Sequence, residues 1–184
     1  MTSGKVAYRI DSQLFADILL RIIPDLPQPV VESLWSAHGA RCYSQAEFLL
    51  SEGEATQGIF LIISGLVRLS LSNDSRKTRD IHARELRAPA MLGVHDVILG
   101  GSASLNARAL TDIQCAFIPN TAFLNTIRRF PSAGMAFSQL IAAELISTYS
   151  RISELRANPD KHTGRQPVGK DQTEGPPVEV SFWK

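Results

Sequence analysis

The sequence predicts a mainly β domain with flanking helices, and three observations carry that expectation. Apolar residues recur at helical spacings of three and four at both ends of the chain. Between about 40 and 131 they give way to short alternating runs punctuated by turn residues. The composition, 44% hydrophobic and 20% charged over 184 residues, is that of a globular domain able to bury a core without metals or bridges. The formal charge of +1 provides no sequence-wide attraction to phosphate backbones or anionic membranes. Cys42 and Cys115 form neither a CxxC pair nor a metal cluster, and both read as buried free thiols in a reducing compartment. The stretch 1–8 lacks the apolar run of a secretory signal. The most apolar stretches, 59–63 and 137–146, break long before the ~20 residues a membrane span needs, so a soluble cytoplasmic protein without membrane contact is expected.

Taken in order, Asp11 caps a first helix whose face is Leu14, Phe15, Ile18, Leu19 and Ile22, and Pro24 stops it. A second helix over 29–37 tolerates Pro29 in its first turn, turns Val30, Leu34 and Trp35 inward and stops at Gly39, closing an N-terminal helical region of 1–39. Strand-like runs follow at 40–43, 48–50, 59–63, 66–71 and 79–86, separated by the turns 51–54 and 64–65 and by a polar loop at 73–77. In the run 66–71, alternation puts Val67, Leu69 and Leu71 on one face and Arg68 and Ser70 on the other. The segment 89–104 reads as a short helical turn and a glycine-rich loop, the candidate functional loop. Strands return at 105–110 and 114–118, and Asn120-Thr121 caps a brief helix to Arg129.

A long helix is expected over 132–157, with the stripe Phe137, Ile141, Leu145, Thr148, Ile152 and Leu155 in a nearly heptad pattern. That stripe is read as a dimer interface, against the alternative that it packs on its own β domain. Beyond 157, prolines and glycines accumulate and apolar content collapses, which predicts a disordered tail over 158–184 whose last stretch, 178–183, alternates well enough to dock as an edge strand.

The run 43–54, followed by Gly58-Ile59-Phe60-Leu61-Ile62-Ile63-Ser64-Gly65-Leu66-Val67-Arg68-Leu69, resembles the cyclic-nucleotide-binding domain of the Crp/Fnr regulators. Gly93, then Ala107-Arg108-Ala109-Leu110-Thr111-Asp112, then Phe123 and Phe130-Pro131 before the long helix fit in order. The resemblance covers about 24–157. It implies an eight-stranded β-roll, or jelly roll, over 40–131, with a C-terminal helix that pairs two subunits and a role in transcription regulation and signal sensing.

It also defines where this chain departs. In relatives that bind cyclic AMP, a glutamate directly after the cassette glycine meets the ribose and an arginine further along pairs with the cyclic phosphate; here those slots hold Val94 and, beside Ser104, Ala103. Losing such a charge-assisted contact costs a buried anion several kcal/mol. Tight cyclic AMP or GMP binding is therefore not expected, and no other cofactor is assigned. The candidate ligand-binding residues are Gly93, Val94, His95, Ser102, Ala103, Ser104 and Thr148, the last matching the family's purine contact, although Tyr149 follows where a second small polar residue is usual. For Ser102, Ser104 and Asn106 the plainer alternative is loop polarity facing water. Family regulators continue into a helix-turn-helix that reads DNA; the segment 158–184 is too short for one and its charges cancel, so no direct DNA binding is expected.

His38, His82, His95 and His162 lie in separate segments without HxH or HExxH spacing, which argues against a metal or a cupin site. Two cysteines are too few for an iron–sulfur cluster. No nucleophile elbow, Walker loop or GxGxxG appears, so no catalytic residue is assigned and the chain is not expected to be an enzyme. The expectation is a non-catalytic sensor or regulatory module of the Crp/Fnr type, homodimeric, with a degenerate nucleotide pocket. The alternatives are a module that heterodimerises with a full-length regulator, or a cyclic-nucleotide binder with atypical contacts.

Overall fold

The computed structural model describes residues 10–71 and 81–157, with the side chains of 81–83, 151–152 and 154–157 outside the description. The predicted loop at 73–77 and the predicted tail and docking strand after 157 lie outside the described residues. Two units are distinguished, Met1–Leu145 and Ile146–Lys184, and each is described by itself.

In the first unit, Asp11 caps α1 (Ser12–Ile22) by accepting the Leu14 backbone N–H at 2.7 Å. Helix α2 (Gln28–Ala37) starts with proline in its first turn, and its stop falls at His38, leaving Gly39 to open the first strand. The strands are β1 (Gly39–Tyr43), β2 (Phe48–Leu50), β3 (Gly58–Ser64), β4 (Leu66–Leu71), β5 (Ile81–Arg87), β6 (Ala90–Leu92), β7 (Asn106–Ala109) and β8 (Ile113–Pro119). Helix α3 (Val94–Leu99) lies between β6 and β7; α4 (Asn120–Arg129) and the long α5 (Pro131–Ala157) follow β8.

These strands form two antiparallel four-stranded sheets, ordered β1-β8-β3-β6 and β2-β7-β4-β5, which is a jelly roll. Strand β3 explains why its sequence reads as an unbroken apolar run. Ile59 and Leu61 pack against α1, α2, α4 and the start of α5, whereas Phe60 and Ile62 face the other sheet, so both faces are covered. The helix-side core is closed by Phe15, Leu19, Leu34, Phe123 and Phe137, all fully buried.

The register irregularity between β4 and β5 puts the extra residue, Ala83, on β5, while β4 pairs without a break to β7 through Ser70. Ser70 therefore shares the face of Arg68 as the alternation predicts, and Leu71, at the strand's end, is exposed. One expectation is corrected. The segment 89–104 is not helical from its start, because Ala90, Met91 and Leu92 pair with Ile62, Leu61 and Phe60 as β6. Three residues are too short a run for periodicity to separate a strand from a helical turn.

In the second unit, helix α5 continues to Ala157; Ile146 and Tyr149 are exposed, as is Thr148. Among the described residues no helix is long and apolar enough to cross a membrane.

Candidate functional site

The glycine-rich loop is built as a cassette between β6 and β7. Gly93 takes φ +85, and a Cβ there would lie 3.1 Å from the Gly58 carbonyl oxygen, so the turn into α3 accepts only glycine without strain. Helix α3 ends at Gly100, also left-handed, whose N–H donates to the Val97 carbonyl. Inside the cassette, Asp96 is 3% exposed, and its carboxylate accepts the Ser104 backbone N–H at 3.1 Å. His95 Nε2 lies 3.1 Å from the same carboxylate oxygen and 2.7 Å from Ser104 Oγ. A negative charge from the chain itself thus sits where the loop offers its donors.

On the inner side of the cassette a cavity of about 30 Å³ remains, walled by Leu69, Leu92, Gly93, Val94, His95 and Leu105 and roofed by Leu140. That is one water molecule's share of liquid volume, whereas small-molecule pockets run from about 300 Å³ upward. An ion pair also lines it: Arg84 of β5 donates from Nη2 to Glu144 Oε1 of α5 at 3.1 Å. Roomier cavities lie elsewhere. One of about 160 Å³ opens between the sheets beside Ala103, Phe60, Phe117 and Arg41, and a groove of about 380 Å³ on the outer sheet face holds Arg68 and Arg108.

Of the predicted ligand residues, the structure brings Gly93, Val94, His95 and Ser104 together at the cassette. Val94 is 5% exposed and packs into the helix-side core, so the slot of the ribose-binding acid is filled by an apolar side chain. Ala103 is 3% exposed and tied to the β2–β3 loop, donating to the Glu54 carbonyl and accepting from the Gly53 N–H. Ser102 is exposed and bridges to Ala55. Thr148 is exposed on the helix of the second unit. Of the predicted dimer stripe, Phe137 is corrected: it is fully buried in the chain's own core, edge-on to Phe123 at 4.8 Å. Ile141 is half-buried against the same core, Leu145 is exposed, and the side chains of Ile152 and Leu155 are outside the description.

Arg84 and Glu144 were not singled out by the sequence reading. Asp96 was legible only as a neighbour of His95. Arg84 carried a usable signal, since it shares the parity of the inward-facing Leu86 on β5. Among the described residues no group of three or more His, Cys, Asp or Glu converges as metal ligands would.

The two sheets and the cassette in this order match the family model described as the cyclic nucleotide-binding domain, over residues 40–130. Residues 40–130 belong to the cyclic nucleotide-binding domain family. The jelly roll is shared with a cyclic nucleotide binding protein from Ruegeria pomeroyi, at TM-score 0.62 and 21% identity, covering 79% of this chain and 65% of that one. A cyclic nucleotide-binding domain from Methylobacillus flagellatus aligns at TM-score 0.67 and 20% identity, over 78% of this chain and 84% of that one. The regulatory subunit of a cAMP-independent protein kinase A from Trypanosoma brucei aligns at TM-score 0.59 and 15% identity, over 70% of this chain and 47% of that one. The chain spans about two thirds of the Ruegeria protein, and at these identities the likeness is one of fold. No curated protein matches.

Proposed function

We propose that this cyclic nucleotide-binding domain is a non-catalytic, cytoplasmic sensor module whose pocket is no longer fitted to a cyclic nucleotide. The observation that carries this reading is the cavity of about 30 Å³ beside Gly93, lined by the paired Arg84 and Glu144. A ribose would meet Val94 instead of an acid. A cyclic phosphate would meet no guanidinium at Ala103, and it would face the Asp96 carboxylate on the Ser104 N–H. Placing a second anion against a buried carboxylate is unfavourable, and an anion stripped of its charge-assisted partner loses several kcal/mol. That the same fold occurs in a regulatory subunit described as belonging to a cAMP-independent kinase supports a scaffold separable from cyclic AMP. The signal passes through α5, and the partner is a second copy of the chain. A heterodimer with a related regulator would use the same exposed residues, Leu145, Ile146 and Tyr149.

Isothermal titration with cyclic AMP and cyclic GMP tests the pocket. Neither nucleotide is expected to bind below about 100 μM, which corresponds to roughly 5.5 kcal/mol. Sub-micromolar binding of either would overturn the reading.

A further inference from the structure

The outer face of the β2-β7-β4-β5 sheet carries the groove of about 380 Å³, whose lining includes Gln45, Ala46, Arg68, Ser70 and Arg108. Across that face Phe48, Arg108, Arg68 and Glu85 stand in register, one from each strand. Side chains directly opposite on neighbouring strands hold their Cβ atoms roughly 5 Å apart, and like charges so placed destabilise the pair. Two guanidinium groups nevertheless face each other here. Arg108 is oriented by the chain: its Nε donates to the Ala46 carbonyl at 3.0 Å, and its guanidinium carbon lies 5.6 Å from the centre of the Phe48 ring. That carbonyl is itself held in place. Ala46 sits at φ +74 with its N–H on the Ala109 carbonyl, and the Gln45 N–H is on the Asp112 carboxylate. The terminal amino groups of Arg108 have no partner among the described residues. Arg68 meets one acid there, Glu85, at 3.7 Å and so beyond hydrogen-bond reach. On the same face as Arg68, Ser70 is 3% exposed and lines the groove, and its hydroxyl has no hydrogen-bond partner among the described residues.

We propose that this groove binds a phosphomonoester with a small hydroxylated body. The phosphate oxygens accept from the terminal amino groups of Arg108, from Arg68 and from the Ser70 hydroxyl, and the hydroxyls of the body meet the Gln45 amide. A phosphomonoester carries about −1.5 to −2 charge at neutral pH and three strong acceptor oxygens, which answers two guanidinium groups and a hydroxyl in a way that one carboxylate does not. Bound between the arginines, it converts a like-charge cost into charge-assisted hydrogen bonds of the forked kind that guanidinium makes with phosphate. The volume is at the lower end of small-molecule pockets, which run from about 300 Å³, so the body is small. An extended polyanion does not fit, because Glu85 ends the row on one side and Asp112 stands beside Gln45 on the other, leaving a positive strip one phosphate wide. Arg68 and Ser70 lie on the opposite face of β4 from Leu69, which lines the cassette cavity. The groove is therefore a separate place on the roll, and its ligand does not depend on whether the cassette holds one.

The experiment is isothermal titration of the full chain at low ionic strength with ribose 5-phosphate, inorganic phosphate and succinate, on the wild type, Arg68→Gln and Arg108→Gln, with circular dichroism melts to establish that each variant folds. Ribose 5-phosphate is expected to bind the wild type with a Kd below about 1 mM, and each arginine variant at least about tenfold more weakly. Arg68 is half-exposed and its one ion pair is loose, so Arg68→Gln is expected to melt with the wild type. Should Arg108→Gln fail to fold for want of its tie to Ala46, Arg68→Gln and Ser70→Ala carry the test, and both are expected to weaken binding. Absence of ribose 5-phosphate binding to the wild type, or undiminished affinity in a folded Arg68→Gln, would overturn the proposal. Succinate binding as tightly as ribose 5-phosphate would overturn the phosphate class of ligand, and inorganic phosphate binding as tightly would overturn the hydroxylated body.

Discussion

Cys115 lies in the middle of β8 with no exposed surface, packed between the two sheets, its Sγ donating to the Arg41 carbonyl at 3.6 Å. Burial pushes its thiol from the ordinary 9.0 up to about 12, against the opposing pull of the nearby Arg41 charge. The unfolded chain releases this proton near 9.0 while the folded chain holds it to about 12, so the stabilisation is complete below 9.0 and is lost as pH rises through that window. Urea unfolding of Cys115→Ala is expected to show a flatter stability curve across that interval than the wild type does. An identical slope in both would place the titration on another group. That Cys115 would be a buried free thiol was legible in the sequence, because free cysteine behaves as a small hydrophobe. The part played by Asp96 was not, since a lone carboxylate beside glycines carries no periodicity that could mark it as inward-facing.

Helix α5 shows how an element can serve two surfaces. Ala133, Ala136 and Phe137 are buried and Leu140 and Ile141 half-buried, at helical spacings that face the core, while Met135 and Leu145 are exposed. Phe137→Ala is expected to cost about 3–5 kcal/mol, read as a lower urea midpoint at unchanged slope. A loss below about 1 kcal/mol would mean that Phe137 does not close the helix-side core as its burial and its contact with Phe123 indicate. The nearly heptad spacing predicted the helix correctly but assigned Phe137 to the wrong surface, because a stripe looks the same whether a neighbouring chain or the chain's own roll covers it. The bulge on β5 was illegible for a related reason. One extra residue, Ala83, between the partners of Leu69 and Ser70 shifts parity without altering composition, and nothing in the run 81–87 announces it.

For the whole molecule, fold and function were unequally legible. Strands repeat a period, and turns need glycine at places such as Gly65, where φ is +102 and a Cβ would come within 2.5 Å of the Asp112 carbonyl oxygen. These constraints leave marks along the chain. The cassette pocket joins residues from β4, β5, β6, the loop before β7 and α5, and no local pattern reports that Arg84 and Glu144 meet across 60 positions. At the assembly scale, Ile146 and Tyr149 of the second unit are 66% and 61% exposed, large apolar side chains that a second copy would cover, and Leu145 is 50% exposed. Sedimentation equilibrium at tens of micromolar is expected to give the mass of two chains, and Leu145→Glu with Tyr149→Glu to give one. A wild-type chain monomeric at that concentration would remove the homodimer from the reading.

The backbone of residue 103 is stitched to residues 53 and 54, and its methyl group belongs to the cluster of Phe60 and Phe117 between the sheets. A longer side chain built on that carbon would enter the space beside Arg41, which already stacks on Phe117. An Ala103→Arg exchange would therefore carry its charge to the inter-sheet side of the strap and not to the cassette floor.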